Sequence, residues 1–282
     1  MAGTLNVAWI HGAADCGAST DPPLQVHRFN PSTFILRQSK CLSFEAPFLY
    51  LLFGSSRTLL VDSGATPSAA QFPVAATVNQ LRQTRAATLG QPVQPLLIVH
   101  THSHGDHAAG DVQFAGQAQV RIAPTSLARV KQFFGLPSWP NGQATLDLGD
   151  RIIDVIPTPG HEPSHVAFYD RTEQLLLTGD TLYPGLLVVN NWRDYRATIR
   201  RLAAFAAAHP LLHILGSHIE MTNQPGHWFG LGTTFQPGEH VLQLGPAHLT
   251  ELNAVLGSQR ALHRRADFIV FPSNMPLPPL GP

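Results

Sequence analysis

The chain has 282 residues, of which 44% are hydrophobic and 13% charged, a composition that supports a folded globular protein and excludes a disordered one. Lys plus Arg equals Asp plus Glu at 18 each, so the net charge is zero and neither nucleic acid nor an acidic membrane surface is an expected partner. Histidine stands out at 15 copies; imidazole is the commonest metal-ligating side chain, which makes a metal the first function to test.

The opening residues, MAGTLNVAWIHGAADCG, lack the basic start and apolar run of a secretory signal, and no apolar stretch reaches the roughly 20 residues of a membrane span. A cytoplasmic protein is expected, with no membrane partner. Cys16 and Cys41 are too few for a disulfide framework, and two unbridged thiols are the expected state.

In chain order, short apolar runs at Gln25 to Phe29, Thr33 to Arg37, Phe48 to Phe53 and Thr58 to Val61 predict an antiparallel meander. Ser68 to Ala87 reads as a helix interrupted near Pro73, and Leu96 to Val99 as a buried strand leading into a histidine-rich segment. Val120 to Ala123 predicts a strand, Ser126 to Phe134 a helix, and Arg151 to Ile156, His165 to Tyr169 and Gln174 to Leu177 three more strands. Asp194 to Ala208 is a helix stopped by His209-Pro210, and His213 to Leu215 a short strand. Residues 222–246 are rich in Gly, Pro and aromatics without periodicity, which marks a pocket wall or lid; a helix from Ala247 to Arg265 and a proline-rich tail follow. With no linker composition and no repeat, residues 1–282 read as one domain.

Directly after the Leu96 to Val99 strand, His102-Ser103-His104-Gly105-Asp106-His107 packs four ligand-type side chains into six residues. From this chain's own His and Asp frequencies the pattern H-x-H-x-D-H arises by accident about 0.002 times. In an extended turn His102 and His104 point the same way and can hold one metal, while Asp106 and His107 reach a second.

This segment resembles the signature of the metallo-β-lactamase superfamily, as do Thr158-Pro159-Gly160-His161, Thr178-Gly179-Asp180-Thr181 and Ser217-His218, and Leu60-Val61-Asp62-Ser63-Gly64 fits the strand and turn beside the site. The resemblance runs from about Phe48 to Met221. It implies an α/β fold, a four-layer αββα sandwich, with two divalent ions at one edge. Zn²⁺ is expected, with Fe or Mn as alternatives. By the same resemblance His161 joins His102 and His104 on the first ion, His218 joins Asp106 and His107 on the second, and Asp180 bridges both. His165, four residues past His161, is expected to be a buried strand residue or to support a ligand, and His100 to be structural.

The chemistry implied is hydrolysis: two cations acidify a shared water, the hydroxide attacks an acyl carbon, and Asp106 orients it. Asp62 is expected either to fix the tautomer of a ligand histidine or to cap its turn. Tyr183, three residues past Asp180, matches the spacing of a tyrosine that assists the substrate carbonyl in lactonases of the superfamily. Around the metals the closest resemblance is to glyoxalase II-like thioesterases, but residues 222–246 offer His227, Trp228, Phe229, Phe235 and His240 rather than basic side chains. His227, Trp228 and Phe229 are therefore expected to line the pocket for a small-molecule acyl substrate, an ester, lactone or thioester, or else to cover the core. A mononuclear iron enzyme resembling persulfide dioxygenases, and a β-lactamase of broad or weak activity, are the alternatives. The sequence carries no reading of oligomeric state.

Overall fold

The computed structural model describes residues 3–257 and 259–280, and its regular structure opens on the expected meander: β1 (Leu24–Asn30), β2 (Thr33–Gln38), β3 (Phe48–Phe53) and β4 (Thr58–Val61). After α1 (Val74–Leu89), strand β5 (Leu96–Val99) adds to β4 in parallel. A one-turn helix α2 (Gly105–Ala108) and β6 (Val120–Ile122) complete a sheet of order β1-β2-β3-β4-β5-β6. Helix α3 (Leu127–Phe134) leads to β7 (Ala144–Asp147), β8 (Ile152–Pro157), β9 (Val166–Asp170) and β10 (Leu175–Gly179). Strand β11 (Leu186–Val189) departs from that run. Helix α4 (Trp192–Ala208), β12 (His213–Gly216) and β13 (Gln243–Leu244) then give a second sheet of order β13-β12-β10-β9-β8-β7. Helix α5 (Pro246–Leu256) is followed by β14 (His263–Arg264) and β15 (Ile269–Pro272), which join β11 in a small third sheet.

Successive strand residues face opposite ways, and β3 shows the result. Phe48, Tyr50 and Leu52 enter the core between the two large sheets, where they meet Val155, Val166, Phe168, Leu175 and Leu177. Leu49, Leu51 and Phe53 face the other way, onto Val74 and Val78 of α1. The far face of the second sheet, with Tyr169, Leu176 and Ile214, is covered by Tyr195, Ile199 and Leu202 of α4 and Leu249 and Leu252 of α5. Burial on both faces explains why these strands read as unbroken apolar runs rather than as alternating ones. The stack is helix, sheet, sheet, helix, the αββα sandwich.

Four expectations are corrected. The first helix starts at Val74 rather than Ser68, because the residue before a proline is pushed out of helical geometry and Pro73 itself fits a helix start. The last helix ends at Leu256, before Gly257, rather than at Arg265. The tail is not merely proline-rich: β15 pairs in parallel with β11 and antiparallel with β14. Cys16 and Cys41, expected as free thiols, form a disulfide across Cα atoms 5.2 Å apart; the short turn Cys16–Ala18 folds back onto the loop after β2, a proximity that a sequence separation of 25 hides. No helix among the described residues is long and apolar enough to cross a membrane.

Candidate metal centre

The ligand-type residues sit where strands end. Asp62 follows β4, His102 to His107 follow β5, His161 follows β8, Asp180 follows β10 and His218 follows β12, all on loops or in the one-turn helix α2. Two glycines make the turns possible. At Gly160 (φ +143°) a Cβ would lie 2.4 Å from the Cα of Tyr195 in α4, and at Gly179 (φ +52°) it would lie 2.6 Å from Thr101 Cβ and 2.8 Å from His165 Nε2. The Pro-Gly-His and Gly-Asp pairs therefore combine a turn that favours glycine with a backbone approach that excludes any side chain.

The structure brings the seven side chains into two groups that share Asp180. In the first, His104 Nδ1 lies 2.9 Å from His102 Nε2 and 3.2 Å from His161 Nε2, while Asp180 Oδ2 lies 3.7 and 3.4 Å from those two Nε2 atoms. In the second, Asp106 Oδ2 is 3.1 Å from His107 Nε2 and 3.4 Å from His218 Nε2, and Asp180 Oδ1 is 3.5 and 3.3 Å from the same nitrogens. Ligands on a tetrahedral ion with bonds of about 2.0 to 2.1 Å stand about 3.3 Å apart, which is the spacing seen within each group. Each oxygen of Asp180 addresses a different group, so one carboxylate can serve two cations.

Two buried atoms test whether the donors suit a cation. His107 Nε2 and Asp180 Oδ1 have no hydrogen-bond partner, although His107 Nε2 is close to Asp106 Oδ2 without the alignment of a hydrogen bond. Leaving buried polar atoms unpaired is costly, and a divalent ion at this point satisfies both. The residues fit the group.

The far side of each ring fixes its tautomer. His161 Nδ1 donates to the Val188 carbonyl at 2.8 Å, and His218 Nδ1 to the Glu45 carbonyl at 2.8 Å. His107 Nδ1 donates to Asp62 Oδ2 at 2.9 Å. A proton on Nδ1 leaves the Nε2 lone pair of each ring facing inward. Asp62 is fully buried, takes φ +64°, and also accepts from Thr101 N at 2.7 Å and Thr101 Oγ1 at 2.9 Å, so it braces both the turn and the ring. If His107 serves a metal, Asp62→Asn is expected to weaken metal retention by about 10- to 100-fold, read by competition with a chromogenic chelator; unchanged retention would remove Asp62 from that role.

The electrostatics follow from burial and sharing. Burial works to raise Asp180, but the imidazoles of His218, His107 and His102 hold it well below the ordinary carboxylate range. Burial works to lower His107 and His218, but Asp180 and the neighbouring carboxylates lift both well above the usual imidazole value. His102 and His161 are pushed down, chiefly by burial.

His165 is fully buried: its Nδ1 lies 2.7 Å from Thr158 Oγ1, its Nε2 accepts from Asp180 N at 3.2 Å, and its ring stacks on His102 at 4.8 Å. It holds the Thr-Gly-Asp turn and stands apart from both groups of converging atoms. His100 pairs with Asp111 at 2.9 Å.

Tyr183 is buried, with its ring 5.4 Å from His218, and its hydroxyl donates to the Leu186 carbonyl at 2.6 Å rather than pointing free toward a substrate. Tyr183→Phe is expected to cost about 1 to 3 kcal/mol of stability, because the buried carbonyl loses its partner, and to change kcat by less than roughly threefold. A kcat loss of two orders of magnitude in the folded variant would show that the hydroxyl reaches substrate.

Trp228, expected beside the pocket or over the core, packs into the core. It is buried against Leu186, Met221, Ile269 and Phe271, with Nε1 donating to the Pro279 carbonyl, and so closes the third sheet. His227 and Phe229 beside it are half-buried, and Phe229 N donates to the Glu220 carbonyl.

Several neighbours have no motif to announce them. Glu220 accepts from Leu186 N at 2.7 Å, and the backbone carbonyls of Glu45 and Val188 orient two rings. Lys40 is buried, with Nζ donating to the Phe44 carbonyl, and burial lowers its ammonium to about 8. Beside it Arg37 pairs with Glu239. The distance of Glu220 from His218, two positions, is the one signal the sequence offers for this group.

Comparison with known proteins agrees with this geometry. The family model described as "Metallo-beta-lactamase superfamily" matches residues 44–218. The acyl-coenzyme A thioesterase MBLAC2 of Bos taurus is 27% identical over 188 residues, covering 55% of this chain and 66% of that protein. A hydroxyacylglutathione hydrolase of Mesorhizobium japonicum is 31% identical over 117 residues, covering 40% of this chain and 46% of that protein. The matched regions thus span between about half and two thirds of these curated relatives. Among solved structures, a metallo-beta-lactamase from Pontibacter korlensis superposes with a TM-score of 0.53 at 18% identity, covering 84% of this chain and all of that one, a likeness of fold.

Proposed function

The chain belongs to the metallo-beta-lactamase superfamily, whose hydrolases are its relatives, and from that premise we propose that it cleaves a carboxylic thioester or ester at a site holding two divalent metal ions. The observation that carries this reading is Asp180, with one oxygen turned to each group of nitrogens. When bound, the ions, most simply Zn²⁺, supply Lewis acidity toward the acyl oxygen and lower the pKa of coordinated water.

The chain's own residues do the rest. His102, His104 and His161 present three nitrogens on one side of Asp180, and His107, His218 and Asp106 complete the other. Asp106 keeps some solvent exposure, and in this reading its carboxylate accepts a hydrogen bond from the attacking water and orients it. Asp62, Val188 and Glu45 keep three imidazoles in the tautomer that offers Nε2. The Tyr183 ring lies against His218 and steadies it, while its hydroxyl stays on Leu186. His227 and Phe229 remain candidates for the acyl-side wall.

Thioesters come first because both curated relatives named above are described as acting on thioester-type acyl compounds, an acyl-coenzyme A and a hydroxyacylglutathione. The Cys16–Cys41 bridge favours a compartment oxidising enough to keep it, which differs from the cytoplasmic placement that the N-terminal sequence suggests. The test is a substrate panel of an acyl thioester, a lactone, an aryl ester, a cephalosporin and a phosphodiester, with metal content and oxygen uptake measured on the same protein. Two metals per chain, no oxygen uptake and the highest kcat/KM on a thioester or ester are expected. One iron per chain with oxygen consumption would overturn the proposal in favour of a dioxygenase, and a cephalosporin at the head of the ranking would make it a β-lactamase.

A further inference from the structure

Outside the metal centre, α4 turns three like charges toward a cavity. A groove of about 620 Å³ between α4 and the end of α5 is lined by Trp192, Arg193, Arg196, Arg200, Asn253 and Gly257. Arg193, Arg196 and Arg200 recur at helical spacing and share one exposed face. Among the described residues none of the three has an ion-pair or hydrogen-bond partner. Asp194, the one acid in the first turn, is bound to Asn191 instead.

Like charges three and four positions apart destabilise a helix, so this face costs stability unless an anion relieves it. Helical side chains also lean toward the helix N-terminus, which carries the arginines toward Trp192. That end abuts the metal centre: Asn191 N donates to the Gly160 carbonyl at 2.8 Å, and Asn190 Nδ2 to the His161 carbonyl at 2.6 Å. At 3.8 Å per residue, Trp192 lies within about 8 Å of Asn190 along the chain. From Trp192 to Arg200 the helix rises about 12 Å, enough for several phosphate groups in line. The Trp192 ring, stacked on His263, fixes the mouth.

We propose that the arginine face of α4 binds the phosphate-bearing end of the substrate's thiol carrier, so that the enzyme prefers acyl thioesters of a phosphorylated carrier over those of an uncharged thiol. This rests on the thioester-or-ester reading above. The zero net charge conceals the feature, because charge summed over the chain says nothing of three cations on one groove.

The test compares an acyl-coenzyme A with the N-acetylcysteamine thioester of the same acyl group. For the unmodified protein, KM for the coenzyme A thioester should rise with added NaCl while KM for the uncharged one stays level, since screening acts on the ion pairs alone. In the R193Q/R196Q/R200Q variant the ratio of the two kcat/KM values should fall roughly 10-fold, and the triple lysine variant should recover part of it. A misfolded variant would depress both substrates and leave the salt experiment on the unmodified protein to decide. An unchanged ratio in a folded variant, or equal salt dependence for both thioesters, overturns the assignment. If neither thioester is hydrolysed, the thioester reading fails and the groove is judged by calorimetric titration with adenosine 3′,5′-bisphosphate. Binding lost in the glutamine variant upholds the groove; binding absent or unaltered rejects it.

Discussion

Asp180→Asn is expected to lower kcat/KM on the best acyl substrate by about 10³-fold or more and to reduce bound metal from two ions to one or fewer per chain. The reason lies in the side chain's two-sided use: Oδ2 faces His102 and His161, and Oδ1 faces His107 and His218. An amide in either orientation turns an NH₂ toward one of the two groups, and an NH₂ has no lone pair to offer a cation there. The loss of a Lewis acid is worth several kcal/mol of barrier, and each 1.36 kcal/mol is tenfold in rate. Elemental analysis of the purified variant, with circular dichroism to establish folding, checks it. A folded variant that keeps two ions and normal turnover would rule out a shared carboxylate.

Chelation is expected to have the second large effect, abolishing turnover and lowering Tm by an amount that grows between about pH 6.5 and 8. In the metal-free chain, Asp180 and neighbouring carboxylates outweigh burial and raise His107 and His218 well above 6.5. A group whose folded pKa is raised lends stability that is complete below its unfolded pKa and is lost as pH climbs toward the folded value. Burial also raises Glu45 to about 7, which contributes in the same sense up to that pH. The metal-free protein should therefore weaken as pH rises across this window.

Cation binding runs the other way. It requires neutral imidazoles, releases the protons of His107 and His218, and strengthens with pH. The separation in Tm between the chelated and metal-loaded protein should widen from pH 6.5 to 8, measured by scanning calorimetry at constant ionic strength. A separation that narrows with pH would show that a cation does not displace the protons of these two histidines.

The sequence by itself determined the strand runs and the order of the ligand-type residues, and its resemblance to the superfamily implied the αββα class. Runs such as Phe48 to Phe53 bury both faces and so stand out as unbroken apolar stretches, and H-x-H-x-D-H compresses four donors into one turn. The same local logic explains why boundaries such as Phe48–Phe53 and Leu96–Val99 agree with the structure to the residue.

What only the tertiary structure decided are contacts between segments far apart in the chain. The carbonyls of Val188 and Glu45 orient His161 and His218, and a backbone oxygen has no letter in a sequence. Cys16 meets Cys41, β15 finds β11, and Trp228 turns into the third sheet because the chain path, not local pattern, sets those neighbours. The Tyr183 hydroxyl goes to Leu186 for the same reason, and the arginines of α4 border a groove because α5 ends beside them. Periodicity fixes which way a side chain leaves its own element; what it meets there depends on chain entropy and packing summed over the whole fold.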